Sequence, residues 1–128
     1  MLRGVYAERY CQIERLTTVA AASSDLLLVL TTTANAEEAR RLAAEAVERK
    51  LAACVNVAAV GSTYRWRGRV ENAEECLLLI KTTQKRFDAI RELIRERSTY
   101  EMPEVLAIPV ADGSADYLRW LRESVDGG

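Results

Sequence analysis

Three short apolar runs do most to limit the folds open to this chain: Leu26-Leu27-Leu28-Val29-Leu30, Cys76-Leu77-Leu78-Leu79-Ile80 and Val105-Leu106-Ala107-Ile108-Pro109-Val110. Each is the length of a strand and has no polar face, the pattern of a strand buried within a sheet. The segment after the first run changes period. Ala39, Leu42, Ala43, Ala46 and Val47 recur at helical spacing, with Arg41, Glu45, Glu48 and Arg49 on the opposite face. Asn35 stands ready as an N-cap and Glu38 follows three residues later, a capping-box pattern that predicts a helix over about 36–50. Residues 52–66 return to strand composition, rich in valine, alanine, threonine and aromatics, with Gly61 expected to mark a bend or bulge. Arg67-Gly68 predicts a tight hairpin turn. Beyond the second run, Thr82 or Thr83 is expected to cap a second helix whose stripe is Phe87, Ile90, Leu93 and Ile94. Pro103 holds its predecessor extended, and Pro109 suits only an edge strand or a bulge. Asp112-Gly113 turns the chain, and Ser114 is placed to cap a short last helix anchored by Tyr117, Leu118 and Leu121.

The order is β-α-β-β-α-β with a terminal helix. This predicts an α+β, ferredoxin-like antiparallel sheet with two helices on one face. The other face also carries apolar residues, and a second subunit is its natural cover. A chain of 128 residues is the size of one domain and can bury a core without staples. That domain is expected over 25–125. Residues 1–24 carry Arg3, Arg9 and Arg15 and the run Ala20-Ala21-Ala22-Ser23-Ser24, and are expected to form a flexible extension.

Several functions are disfavoured by composition. A net charge of −1 gives no basic face for nucleic acid. No apolar run reaches the roughly 20 residues of a membrane helix. Three cysteines, Cys11, Cys54 and Cys76, stand at long spacings with no Cys-x-x-Cys pair, which argues against a zinc ribbon or a thioredoxin-type site. A reducing cytoplasm is the expected setting. The chain has no histidine, no Gly-x-Ser-x-Gly elbow and no phosphate-binding glycine loop, so it is read as a non-enzyme.

A handful of residues carry chemistry that a plain core would not need. Cys54 is a small hydrophobe or a soft-metal ligand, whereas Cys76 falls inside an apolar run and reads as core. Asn56 is unusual within a strand and either pins an adjacent turn or lines a pocket. Tyr64 and Trp66 share a strand face, as interface packing or as the wall of a site for an aromatic or cationic ligand. Lys81 emerges at the end of a strand. With Trp66, Tyr100, Glu101 and Glu104 it is either a ring of ligand-cleft residues between subunits or a salt-bridge network at an interface.

Taken in order, Leu28-Val29-Leu30-Thr31-Thr32, Lys50-Leu51-Ala52-Ala53-Cys54-Val55-Asn56, Tyr64-Arg65-Trp66-Arg67-Gly68, Leu78-Leu79-Ile80-Lys81-Thr82 and Tyr100-Glu101-Met102-Pro103-Glu104 resemble the CutA family of divalent-cation tolerance proteins. The resemblance covers about residues 25–122. It implies a homotrimer of ferredoxin-like subunits whose long middle strands pair between subunits, and a role in tolerance to divalent metals, copper above all. It also implies that Trp66, Lys81, Tyr100 and Glu101 belong to a cluster near the subunit interface. The family usually has His-Pro ahead of the Tyr-Glu pair, where this chain has Ser98-Thr99. Copper or another divalent metal would therefore have to rely on Cys54, Glu101 and Glu104, a mixture of soft and hard donors. Two alternatives accompany this reading. One is a signalling module resembling PII-type trimers, which bind nucleotides in intersubunit clefts, although the short stretch between the middle strands leaves no room for their long loop. The other is a structural trimer that scaffolds partner proteins.

Overall fold

The computed structural model describes residues 25–126. The extension expected over 1–24, and Cys11 within it, lie outside the described residues. Within them the elements are β1 (Leu26–Thr33), α1 (Ala36–Glu48), β2 (Cys54–Trp66), β3 (Arg69–Thr83), a 3-10 turn (Gln84–Arg86), α2 (Phe87–Arg97), β4 (Leu106–Pro109) and α3 (Ala115–Val125). The strands form one antiparallel sheet in the order β2-β3-β1-β4. This is the ferredoxin-like arrangement expected from the sequence. Pro109 ends β4, an edge strand, where its missing N–H is harmless.

The register sorts the side chains by face, because opposed residues of an antiparallel pair project to the same side. Leu27, Val29 and Thr31 of β1 oppose Thr82, Ile80 and Leu78 of β3, and all six are buried. Leu42 and Ala46 of α1 and Ile90, Leu93 and Ile94 of α2 close over this side and complete the core. Cys76 is part of that core, as its place in an apolar run predicts. On the other side Leu28 and Leu30 stand beside Lys81 and Leu79, with Ile108 and Leu106 opposite them on β4. Here α3 covers only one end, where Tyr117 meets Lys81. Farther along, Leu106 is 55% exposed and Ile108 45%.

Four local expectations are revised. Asn35 does cap α1, its Oδ1 accepting from the Glu38 N–H at 2.8 Å. The Glu38 carboxylate does not close the box; it accepts instead from the backbone N–H and the hydroxyl of Thr99. Neither Thr82 nor Thr83 caps α2 through its side chain. Thr82 donates to the buried Leu51 carbonyl at 2.6 Å, and the chain enters α2 through the 3-10 turn. Ser114 precedes α3 but makes no side-chain cap. Gly61 makes no bulge: β2 and β3 keep an unbroken register from Cys54 opposite Lys81 to Trp66 opposite Arg69. The hairpin turn falls at Arg67-Gly68 as predicted, with φ of 49° and 81°.

The two middle strands outrun the rest of the sheet. β1 pairs with β3 only over Cys76–Thr83, so the half of β3 from Arg69 to Glu75 is paired with β2 alone. The segment 98–105, leading into β4, runs beside this overhang. That arrangement creates a concavity between the hairpin and the segment.

Candidate functional site

A cavity of about 690 Å³ lies between the overhanging hairpin and the segment 98–104. β2 contributes Tyr64 and Trp66, β3 contributes Glu75, and the 98–104 segment contributes Tyr100, Glu101 and Glu104. Tyr64 and Trp66 share a face because they are two residues apart on one strand. Their partners, Glu71 and Arg69, place them on the same side of the sheet as Glu75.

Tyr100 joins the two halves. Its hydroxyl donates to the Glu75 carboxylate at 2.6 Å, a charge-assisted bond. Burial alone would push the Glu75 carboxyl up, but hydrogen bonds from Ser62, Tyr100 and Thr32 outweigh it and hold the carboxyl below its ordinary value. Burial, and then the bond to Glu75, push the Tyr100 phenol up, so it stays a donor at any physiological pH. Ser98 and Thr99 hold the segment in place. Ser98 Oγ accepts from the Tyr100 N–H at 3.0 Å, and Thr99 is tied to Glu38 on α1. At the outer rim Arg67 donates to Glu101 at 3.0 Å and lies over the Trp66 ring at 5.5 Å.

Trp66, Tyr100, Glu101 and Glu104 thus line one cavity. The remaining candidates lie elsewhere in the chain. Lys81 is six residues beyond Glu75 on β3, about 20 Å of strand. Its Nζ donates to the Tyr117 hydroxyl at 3.2 Å and sits 5.6 Å from that ring. Cys54 opposes Lys81 and is partly buried, at the far end of β2 from Trp66. Asn56 is exposed on the open face opposite Leu79, so within one chain it reaches neither a turn nor the cavity. As metal donors, Cys54 on one side and Glu101 and Glu104 on the other are separated by the length of β2. Among the described residues no three cysteine, aspartate or glutamate side chains form a metal-holding group. The set does not fit a metal ion within a single chain.

Glu75, Ser62 and Thr32 were not singled out by the sequence. One signal for Glu75 was there: it falls on the same side of β3 as Leu77, Leu79 and Lys81, a carboxylate directly extending an apolar face.

A ferredoxin-like fold with an overhanging hairpin and one open sheet face defines a class of small α+β proteins. Comparison with known proteins narrows it. Residues 27–124 match the family model described as CutA1 divalent ion tolerance protein. The chain is 45% identical over 89 residues to the divalent-cation tolerance protein CutA of Thermus thermophilus, covering 69% of this chain and 86% of that one. It is 42% identical over 91 residues to the chloroplastic protein CutA 1 of Oryza sativa, covering 70% of this chain but only 51%, about half, of that longer relative. The crystal structure of CutA1 from Oryza sativa superposes with a TM-score of 0.78 at 38% identity, covering 82% of this chain and 97% of that one. The chain belongs to the CutA family of divalent-cation tolerance proteins.

Proposed function

We propose that the protein serves divalent-metal tolerance as a cytoplasmic homotrimer, acting by binding rather than by catalysis, and that it holds copper or another divalent ion weakly between subunits. The observation that carries the assembly is the open face of the sheet. Leu28, Leu30, Leu77, Leu79, Leu106 and Ile108 line it, and α3 covers only its Lys81 end. An apolar surface of this extent on a small chain marks an association site. The family resemblance supports three copies. The separation of Cys54 from Glu101 and Glu104 supports an intersubunit metal site, because only a neighbouring copy can bring the two ends of β2 together. The same logic would bring Lys81 and Asn56 to the cavity of a neighbour. Nucleotide signalling and scaffolding have no comparable observation in their favour, and the β2–β3 connection is only Arg67-Gly68.

The test combines solution mass with calorimetry. The reduced protein is expected to sediment as three chains, and Ile108→Asp as one chain with an unchanged circular dichroism spectrum. Heats from Cu(I), Cu(II) or Zn(II) should be lost in Cys54→Ser and in Ile108→Asp alike. A single-chain mass for the native protein would overturn the assembly. An intact trimer that takes up no metal would overturn the binding role.

A further inference from the structure

We infer that Glu38 of α1 is a positioning residue for the contact between copies of this chain. It holds the segment 98–104 against the core, so that a neighbouring copy meets a wall already in place. The inference rests on the assembly proposed above and extends it to a helix on the opposite side of the sheet. The cavity beside the hairpin continues the open face, because Glu75 falls on the same side of β3 as Leu77 and Leu79. Both of its walls leave large apolar side chains uncovered, Tyr64 on β2 at 44% exposed and Met102 on the segment at 70%. A copy that covers the open face therefore covers this segment as well.

Residues 98–104 form neither helix nor strand, so their backbone groups have no ladder to join. Among the described residues, main-chain bonding gives the segment one anchor, from the Ser98 N–H to the Ile94 carbonyl at 2.9 Å. Side chains supply the rest. Tyr100 reaches Glu75 and Glu101 reaches Arg67, but both partners belong to the overhanging hairpin. The bond from the Tyr100 N–H to Ser98 Oγ is internal to the segment. Glu38 supplies the tie to the enclosed core. Its carboxylate accepts from the Thr99 N–H at 3.1 Å and from the Thr99 hydroxyl at 3.2 Å. Val105, just past the far end, packs against the same core. The stretch that carries Tyr100, Glu101 and Met102 is thus pinned on both sides.

The placement of Glu38 suits this role. Ala39 and Leu42, its neighbours on α1, are buried in the core, so the helix that carries it is fixed. As the third residue of that helix, a glutamate ordinarily folds back to the N-cap backbone. Here the carboxylate leaves that bond unmade and faces Thr99. About two turns farther along α1, Glu45 accepts from Arg97 at 2.9 and 3.0 Å. The helix therefore grips the chain at the last residue of α2 and again two residues on, directly ahead of Tyr100. The Arg67–Glu101 pair cannot replace that grip, since both side chains are exposed and such pairs contribute little.

The full-length protein tests this in three variants, Glu38→Ala, Glu38→Gln and Glu37→Ala. Glu37 lies in the same first turn of α1 and pairs with Arg41, so its loss removes a similar helix-end charge without touching Thr99. Two quantities are read. One is hydrogen exchange at the Thr99 and Tyr100 amides, taken in the single-chain Ile108→Asp background so that no neighbour shields them. The other is the concentration at which native assemblies part on dilution, followed by sedimentation. Glu38→Ala should quicken the exchange and raise the dissociation concentration, each about tenfold, the scale of one charge-assisted hydrogen bond. Glu38→Gln, which keeps an acceptor oxygen, should recover part of both, and Glu37→Ala should leave both unchanged. Native-like exchange in Glu38→Ala, faster exchange with unaltered assembly, or equal effects from Glu37→Ala would each overturn the inference. A single-chain mass for the native protein at every concentration would overturn the assembly reading and this inference with it, and the native control separates that failure from the others.

Discussion

Ile80 and Leu79 are neighbours on β3, yet they belong to different kinds of surface. Ile80 is 1% exposed and enclosed by its own chain, beneath α1 and α2. Leu79 projects one pleat away onto the open side, among Leu28, Leu30 and Asn56. The enclosed side is complete in one chain. Its apolar side chains interlock, and Thr82 satisfies the Leu51 carbonyl within it. The open side combines surplus apolar area with the groups that could do chemistry: Cys54, Lys81, Glu75 and the rings of the hairpin. The core is concentrated on one side of the sheet and the proposed association on the other, so the two can be altered separately.

The largest effect should come from that neighbouring pair. Ile80→Ala is expected to lower folding stability by about 2–5 kcal/mol, equally at all protein concentrations, in urea denaturation. Leu79→Ala should act mainly on assembly, so its penalty should shrink on dilution as subunits part. If both penalties ignore concentration, the division between the sides fails.

A smaller contrast lies within the enclosed side. Thr82→Val strands the buried Leu51 carbonyl and should lower stability by about 1–3 kcal/mol. The buried hydroxyl of Thr31 has no partner among the described residues. Thr31→Val, which removes that polar atom and keeps the shape, should be neutral or raise stability by about 1 kcal/mol. Equal losses in the two variants would mean that burial, not hydrogen bonding, governs both positions.

The smallest effect should appear at low pH on the open side. The Glu75 carboxyl sits below its ordinary value of 4.5 in the folded protein. The unfolded chain therefore binds its proton first as pH falls. Glu75 contributes stability above the ordinary value, and that contribution fades as pH drops through the lowered one. Thermal unfolding from pH 6 to pH 3 should show a shallower decline in Glu75→Gln than in the native protein. Parallel curves would mean that the Ser62, Tyr100 and Thr32 bonds do not favour the charged form.

Most of this architecture was legible in the sequence because period and length are local. The runs at Leu26 and Cys76 read as strands, and the spacing of Leu42 and Ala46 read as a helix. Arg67-Gly68 read as a turn. Cap chemistry was less legible. Thr82 has the right residue type in the right place, but a buried carbonyl 31 residues away claims its hydroxyl. Gly61 offered freedom that the regular hairpin does not use. The site was half legible. Trp66, Tyr100, Glu101 and Glu104 stood out as polar or aromatic residues in odd places. Glu75 did not, because its importance depends on Tyr100 reaching it across 25 residues of sequence. Lys81 joins that set by its place at a strand's end and Cys54 by its soft sulfur, while the fold of a single chain sends both to the other end of the strands.

The tip of the hairpin carries a trade-off that a protein designer would resolve differently. Arg67 holds a left-handed backbone conformation, φ 49°, next to Gly68 at φ 81°. Asparagine or glycine occupies such a position with little strain, whereas a long L-residue there is disfavoured by roughly 1–2 kcal/mol. Rewriting the turn as Asn-Gly would give a firmer hairpin and remove the guanidinium from the Trp66 ring. The backbone at this position thus asks for one residue and the side chain for another, and arginine is the choice in which the side chain prevails.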